Sequence, residues 1–356
     1  MNVMVKGWCP GALRPMESGD GLLARVRPWC GAFTLDQARG LADIAAGLGN
    51  GHIDLTRRAN LQIRGLSEKS LPALHDALDR LSLLDPDAET EAARNVMIAP
   101  LATIEVRALA SELTRAIVAD RRVAALPAKF GWLVDGGGPL SIVGERADVA
   151  LFVTVDGVAL RLDGEWVGVA ARNRAVALAL EAAFGTRPAL PKLDVVPSPG
   201  RRMLGPLPGA YGVAAPFGRL EASQLQGLVA LATKAGASEI YLSPWRSLFI
   251  DASLEDVEAL GLIIDDEAPL LRVDACPGAP ACRSASVDTR GDALRLAAMP
   301  FAGSIHVSGC AKGCARSTPA DLVLIGDGGR YGVIHNGTAR DAVERTIELA
   351  EVSANV

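Results

Sequence analysis

The sequence predicts an α+β fold that is internally duplicated, and three observations predict it. Residues 31–63, shifted by 187 positions, fall without a gap on residues 218–250 with ten of 33 positions identical, where composition alone would give about three. Each copy repeats one change of period, from helical spacing to short strands. A weaker echo follows, in which Ala147-Asp148-Val149-Ala150-Leu151 resembles Ala320-Asp321-Leu322-Val323-Leu324 at a shift of 173, so the second copy is 14 residues shorter between the two matches.

Apolar residues at i, i+3 and i+4 predict helices over 35–48 and 222–235, the first ending at Gly49 and the second at Gly236. A strand pair follows each, at 52–55 with 61–63 and at 239–242 with 248–250. Both copies run on through Gly-rich hairpin signals into closing helices expected over 173–184 and 338–352. Between the copies, residues 186–208 carry six prolines and read as an extended linker over the surface.

Composition narrows the function. The chain has 356 residues, enough for more than one core, with 22% charged residues and 4% aromatics. Few aromatics and a net charge of −5 argue against nucleic acid, which asks for stacking platforms and a basic field. Residues 1–10 (MNVMVKGWCP) lack an apolar segment and a cleavage signal, and no apolar run is long enough to span a bilayer. The expectation is a cytoplasmic protein whose six cysteines stay reduced.

Four of those cysteines form a constellation. Cys276 and Cys282 stand as C-x5-C, and Cys310 and Cys314 as C-x3-C. Thiolates on two separated loops can surround a [4Fe-4S] cluster. Cys310 and Cys314 would share one side of a turn if that turn were helical. The intervening glycines and prolines let backbone N–H groups approach the sulfurs. A structural zinc site is the rival, although C-x5-C is wider than its usual pairs. Unligated core cysteines or a regulatory dithiol is another. Cys9 and Cys30, in the first copy, read as small packing residues.

C-x5-C followed by C-x3-C on a duplicated chain resembles the sulfite and nitrite reductase family of sirohaem and iron–sulfur enzymes, over nearly the whole length. The resemblance implies two ferredoxin-like half-domains and two α/β half-domains related by a pseudo-twofold. These would be residues 1–90 and 91–185, a linker at 186–208, then 209–265 and an iron–sulfur domain at 266–356. It also implies that the last cysteine, Cys314, is nearest the tetrapyrrole. The stretch Leu55-Thr56-Arg57-Arg58-Ala59-Asn60-Leu61-Gln62-Ile63-Arg64-Gly65 resembles the family's strand–turn–strand, its macrocycle-facing Arg falling on Arg58, with Asn60 and Gln62 also matching. The second copy has Pro244-Trp245-Arg246 instead. Leu126-Pro127-Ala128-Lys129-Phe130-Gly131 resembles the family's LPRKFK with only Lys129 kept, and the two lost cations argue against reduction of inorganic anions.

The wording is most similar to the precorrin-3B synthase branch, in Trp8-Cys9-Pro10-Gly11, Pro15-Met16, Gly19-Asp20-Gly21-Leu22-Leu23 and the two cysteine loops. That resemblance implies a monooxygenase that hydroxylates precorrin-3A at C-20 with γ-lactone formation. Its oxygen comes from O2, and NADH is the indirect electron source through an electron-transfer reductase. It also implies a mononuclear non-haem iron. His52, His75, His306 and His335 show no spacing that identifies its ligands, and His306 is the one carried forward. A polyacidic substrate requires cations, and the candidates are Arg25, Arg27, Arg58, Arg64 and Lys129, with Asn60 and Gln62 beside them. Lys312 and Arg316 flank the cluster loop. Two alternatives remain, a short sirohaem-dependent nitrite or sulfite reductase and a non-catalytic iron–sulfur protein that binds tetrapyrroles. Gly136-Gly137-Gly138 reads as the first copy's counterpart of the cluster loop, emptied of cysteines.

Overall fold

The computed structural model describes residues 9–352. The first copy opens with β1 (Met16–Ser18), β2 (Gly21–Val26), β3 (Ala32–Thr34), α1 (Leu35–Leu48), β4 (His52–Leu55) and β5 (Leu61–Leu66), followed by α2 (Leu71–Arg80) and α3 (Ala88–Ala93). It continues as β6 (Val96–Ile98), α4 (Ile104–Ala119), β7 (Trp132–Asp135), β8 (Val149–Thr154), β9 (Gly157–Leu162), β10 (Glu165–Ala170) and α5 (Ala175–Ala183). The second copy repeats this as β11 (Gly205–Leu207), β12 (Ala210–Ala214), β13 (Arg219–Glu221), α6 (Ala222–Lys234), β14 (Glu239–Leu242) and β15 (Ser247–Ile250). It ends with β16 (Val273–Ala275), α7 (Thr289–Ala297), β17 (Ile305–Ser308), β18 (Ala320–Asp327), β19 (Arg330–Gly337), β20 (Arg345–Ile347) and α8 (Leu349–Val352).

The identities of the repeat have physical reasons. Gln37 and Gln224 each close a capping box at the third position of α1 and α6. Each then donates from Nε2 to a distant carbonyl, Leu81 O and Leu260 O, both at 2.9 Å. Gly40 and Gly227 lie against those same two leucines, where an added Cβ would stand 2.7 Å from Leu81 Cδ1 and 2.5 Å from Leu260 Cδ2. Gly31 and Gly218 share a left-handed backbone, φ +76° and +72°, that suits glycine. The turn between the two strands closes alike, through Thr56 N–H to Asn60 O and Ser243 N–H to Ser247 O. Ala59 and Arg246, 187 residues apart, are both left-handed in it.

The two ferredoxin-like sheets have the orders β1-β2-β5-β4-β13 and β11-β12-β15-β14-β3. Each copy therefore lends its third strand to the other's sheet. Leu220 sits opposite Ile53, and Ile240 opposite Phe33. α1 and α6 pack on one another, and Gln226 Nε2 donates to Asp43 Oδ1 at 2.8 Å.

The other two sheets match strand for strand, β10-β9-β8-β7-β6 and β16-β17-β18-β19-β20. In both, three parallel strands continue into an antiparallel hairpin. Trp132 faces Val149 across β7 and β8, and Ile305 faces Leu322 across β17 and β18, the register that the shift of 173 predicts. α4 and α5 bury Leu109, Leu113 and Ile117 with Trp132 and Leu160 on the first of these sheets.

Two expectations change. The closing helix expected over 338–352 is a turn, the strand β20 and the single turn of α8. Thr346 pairs with Gly332 on β19, and Val343 packs over Gly332, so ladder bonds outweigh the helical spacing of Ala339, Ala342, Val343 and Thr346. The linker ends in β11, which pairs with β12. Its counterpart, the helix expected over 173–184, is α5 with one 3-10 turn before it.

The described residues fall into two compact units, one of Glu17–Leu22 with 265–352 and one of 9–16 with Leu23–Ile264. Among them, no helix is long and apolar enough to cross a membrane. Trp8 and the rest of residues 1–8 lie outside the described residues.

Candidate functional site

In the smaller unit, the four cysteines sit on two loops that leave the C-terminal ends of β16 and β17, adjacent and parallel. Cys276 is the first residue after β16 and is buried. Its N–H donates to Val307 O at 3.3 Å, and its Sγ accepts from Gly309 N–H at 3.2 Å. Gly309 has to be glycine here, because a Cβ would lie 2.5 Å from that of Ala285. Cys282 closes a tight turn by donating to Gly278 O at 2.7 Å, with Gly278 at φ +67°. The Gly19 bend packs on that turn, and a Cβ on Gly19 would stand 2.8 Å from Cys282 N.

The segment carrying Cys310 and Cys314 is a turn with no helix. Ser308 Oγ donates to Cys310 O at 2.7 Å, and Gly313 at φ +62° reverses the chain. Cys314, at the end of this turn, is the most exposed of the four. Partial desolvation of its sulfur by the neighbouring loops, then the Cys276, Cys310 and Cys282 thiols, pushes its pKa up, while Lys312 opposes them. The other three sulfurs are thus all close enough to Cys314 to act on it. Four thiols, a backbone N–H aimed at one of them and loops too tight for larger residues suit a [4Fe-4S] cluster. Among the described residues, no three His, Cys, Asp or Glu side chains close on the position of a single ion.

Lys312 reaches Ser284 Oγ at 3.4 Å, and Arg316 is tied to Pro319 O at 2.7 Å and to Asp274 at 3.4 Å. His306, on β17, is fully buried. The other histidines serve local contacts. His52 pairs with Glu221 at 3.0 Å, His335 with Glu344 at 2.9 Å, and His75 Nε2 meets Ala12 O at 2.9 Å.

The larger unit collects most of the cations expected to bind substrate. Arg25 donates from Nη2 to Gln62 Oε1 at 2.8 Å. Its pKa is lowered, first by burial, against which the Cys9 thiol acts, and then by the neighbouring charge of Arg58. Arg58 donates to Lys129 O at 2.8 Å and to Phe130 O at 3.4 Å. Asn60 joins the same spot through Asn95, at 3.1 Å, whose amide also reaches Phe130 O. Arg25, Arg58, Asn60, Gln62 and Lys129 are therefore neighbours. Gly131, where the family motif has a lysine, leaves room for this, since a Cβ there would lie 3.1 Å from Arg58 Nη1.

Arg27 and Arg64 are placed otherwise. Arg27 is buried against Glu91 at 3.5 Å, and burial lowers its pKa to about 10. Glu91 also accepts the N–H groups of Ala12 and Leu13, and burial raises its pKa. Arg64 is buried against Asp54 at 3.3 Å, which Arg219 also grips at 2.7 and 3.0 Å. Glu91, Asn95 and Asp54 escaped the sequence reading because nothing in their local pattern marks a buried polar partner. Cys30, left-handed at φ +56°, packs on the core beneath α4, and burial raises its pKa.

Residues 14–81 match the nitrite/sulfite reductase ferredoxin-like half domain. A precorrin-3B synthase of Sinorhizobium is 33% identical over 94% of this chain and 84% of its own length. A ferredoxin–nitrite reductase of Synechococcus elongatus is 24% identical over 88% of this chain and 77% of its own. Among solved structures, the NirA protein of Mycobacterium tuberculosis superposes with a TM-score of 0.67 at 18% identity, over 94% of this chain and 79% of its own, and so shares the fold. The repeat, the two pairs of matching sheets and these relatives agree, and the chain belongs to the nitrite/sulfite reductase family, in its precorrin-3B synthase group.

Proposed function

We propose that this oxidoreductase is a precorrin-3B synthase-like monooxygenase, hydroxylating precorrin-3A at C-20 and closing the γ-lactone with O2 and reducing equivalents. The observation that carries the reading is the group of four cysteines at the ends of β16 and β17, in a chain whose 33% identical relative is a precorrin-3B synthase. A [4Fe-4S] cluster held by Cys276, Cys282, Cys310 and Cys314 would supply single electrons. NADH would be their indirect source, through a separate reductase.

The chain's own residues bind and orient. Arg25 and Arg58, steadied by Gln62 and by the backbone of Lys129 and Phe130, present guanidinium groups to substrate carboxylates. The Lys129 side chain is exposed and adds a further positive charge. Fixing the macrocycle through its acidic groups selects which meso carbon meets the oxidant. Lys312 and Arg316 would serve the same purpose beside the cysteines. A mononuclear iron would draw on ligands other than His52, His75 and His335, which meet Glu or backbone, and His306 is the candidate carried forward.

Anaerobically purified protein tests this reading. Broad brown absorption, acid-labile sulfide with at least as much iron, and a product heavier than precorrin-3A by the added oxygen are expected. A haem spectrum would instead mark a sirohaem reductase, and substrate binding without oxygen uptake a carrier. Arg58→Ala should weaken precorrin-3A binding by about 1.5–3 kcal/mol, the range for a charge-assisted bond. Unchanged affinity in an absorbance titration would remove Arg58 from the site.

A further inference from the structure

We infer that Thr289 is a positioning residue for Cys276, holding the backbone that presents its sulfur to a bound cluster. Thr289 is the first residue of α7, outside both cysteine motifs, and is fully buried. Its Oγ1 donates to Cys276 O at 2.6 Å and lies 3.9 Å from Cys276 Sγ. The hydroxyl has one proton, and the shorter contact takes it. The sulfur is left with Gly309 N–H, at 3.2 Å, as its close donor.

Cys276 is thus tied at three points: its N–H to Val307 O, its carbonyl by Thr289 and its sulfur by Gly309. Thr289 is in turn clamped. Its N–H donates to Val287 O at 3.1 Å, the carbonyl that also takes Ala279 N–H at 2.9 Å. Gly278 lies so close that a Cβ there would stand 2.4 Å from Thr289 Oγ1. A helix start and a strand end are therefore joined through one hydroxyl. Without it, the Cys276 carbonyl loses its partner and the angle between sulfur and Gly309 N–H is no longer fixed. Donors to cluster sulfurs set reduction potential, and supporting residues set metal retention.

The inference rests on the cluster reading, and the experiment separates the two. Wild type, Thr289→Val and Thr289→Ser are purified anaerobically, and three quantities are read: the rate of cluster bleaching by a chelator, the midpoint potential by redox titration, and the electron paramagnetic resonance line shape. Thr289→Val is expected to lose its cluster about tenfold faster, at the low end for a supporting residue, and to change potential and line shape. Thr289→Ser should restore all three. Identical bleaching, potential and line shape in wild type and Thr289→Val would overturn the inference while leaving the cluster in place. A wild type without iron and sulfide would overturn the cluster reading itself. If Thr289→Val does not fold, pulsed measurement of the deuterium-exchanged wild type decides. An exchangeable proton coupled to the cluster from the Gly309 amide is expected. A coupling of the same strength from a side-chain hydroxyl, which would place the Thr289 proton on the sulfur and not on the Cys276 carbonyl, would refute the assignment.

Discussion

The loops after β6 and β7 and the loops after β16 and β17 stand at the same places in two copies of one sheet, and they use the same backbone for opposite ends. In the second copy Cys276 follows β16, and Gly309 N–H points at its sulfur. In the first copy Ala99 takes the place of Cys276, and Gly136 that of Gly309. There the N–H groups of Gly136 and Gly137 turn to Asp135 Oδ1, at 2.6 and 2.8 Å, and Ser141 Oγ reaches Asp135 Oδ2 at 2.9 Å. Asp135 is fully buried, at the position of Ser308 in the other copy. The first loop supplies an acceptor from its own side chain, and the second leaves its donor to a cysteine sulfur. In the first copy, where cysteines are absent from this loop, its N–H donors are met by a buried aspartate.

The largest effect expected from breaking this comparison is at Cys276. Cys276→Ala should abolish bound iron and sulfide, whereas Ala99→Cys, the converse change, should add none. Metal and sulfide analysis of both proteins checks it, and iron retained by Cys276→Ala would show that the two loops do not differ as described. Next comes Asp135→Ala, which strands two N–H groups and a hydroxyl. About 3 kcal/mol of stability should be lost, within the range for buried groups left unsatisfied, with cluster content unchanged. Denaturant midpoints and iron content together test it. The smallest effect is at the matching position, where Ser308→Ala removes one bond to Cys310 O. A loss of about 1 kcal/mol is expected, and a midpoint shift as large as that of Asp135→Ala would erase the distinction.

Much of this was legible from residues. The shifts of 187 and 173 carry the ferredoxin-like pair and the register of the later sheets, because identical spacing leads to identical ladders. Gly136–Gly138 could be read as the emptied loop because it follows β7 as Gly309 follows β17. Strand exchange was not legible, since β3 and β13 have the same pattern whichever sheet they complete. The closing segment of the second copy was misread because its apolar spacing suits a helix and an edge strand alike. Thr289 was hidden for a different reason. It lies 13 residues from Cys276, and only the fold of the loop over α7 brings its hydroxyl to that carbonyl.

The lending of β3 and β13 also bears on how such a chain could arise. A single-copy ancestor would have lacked an edge strand in its own sheet and could have completed it only with a second copy of itself, as a closed twofold dimer. Joining the two copies on one chain kept that exchange and removed its dependence on protein concentration. It also released the two halves from having to be identical, so that one loop could carry cysteines while its twin closed over an aspartate.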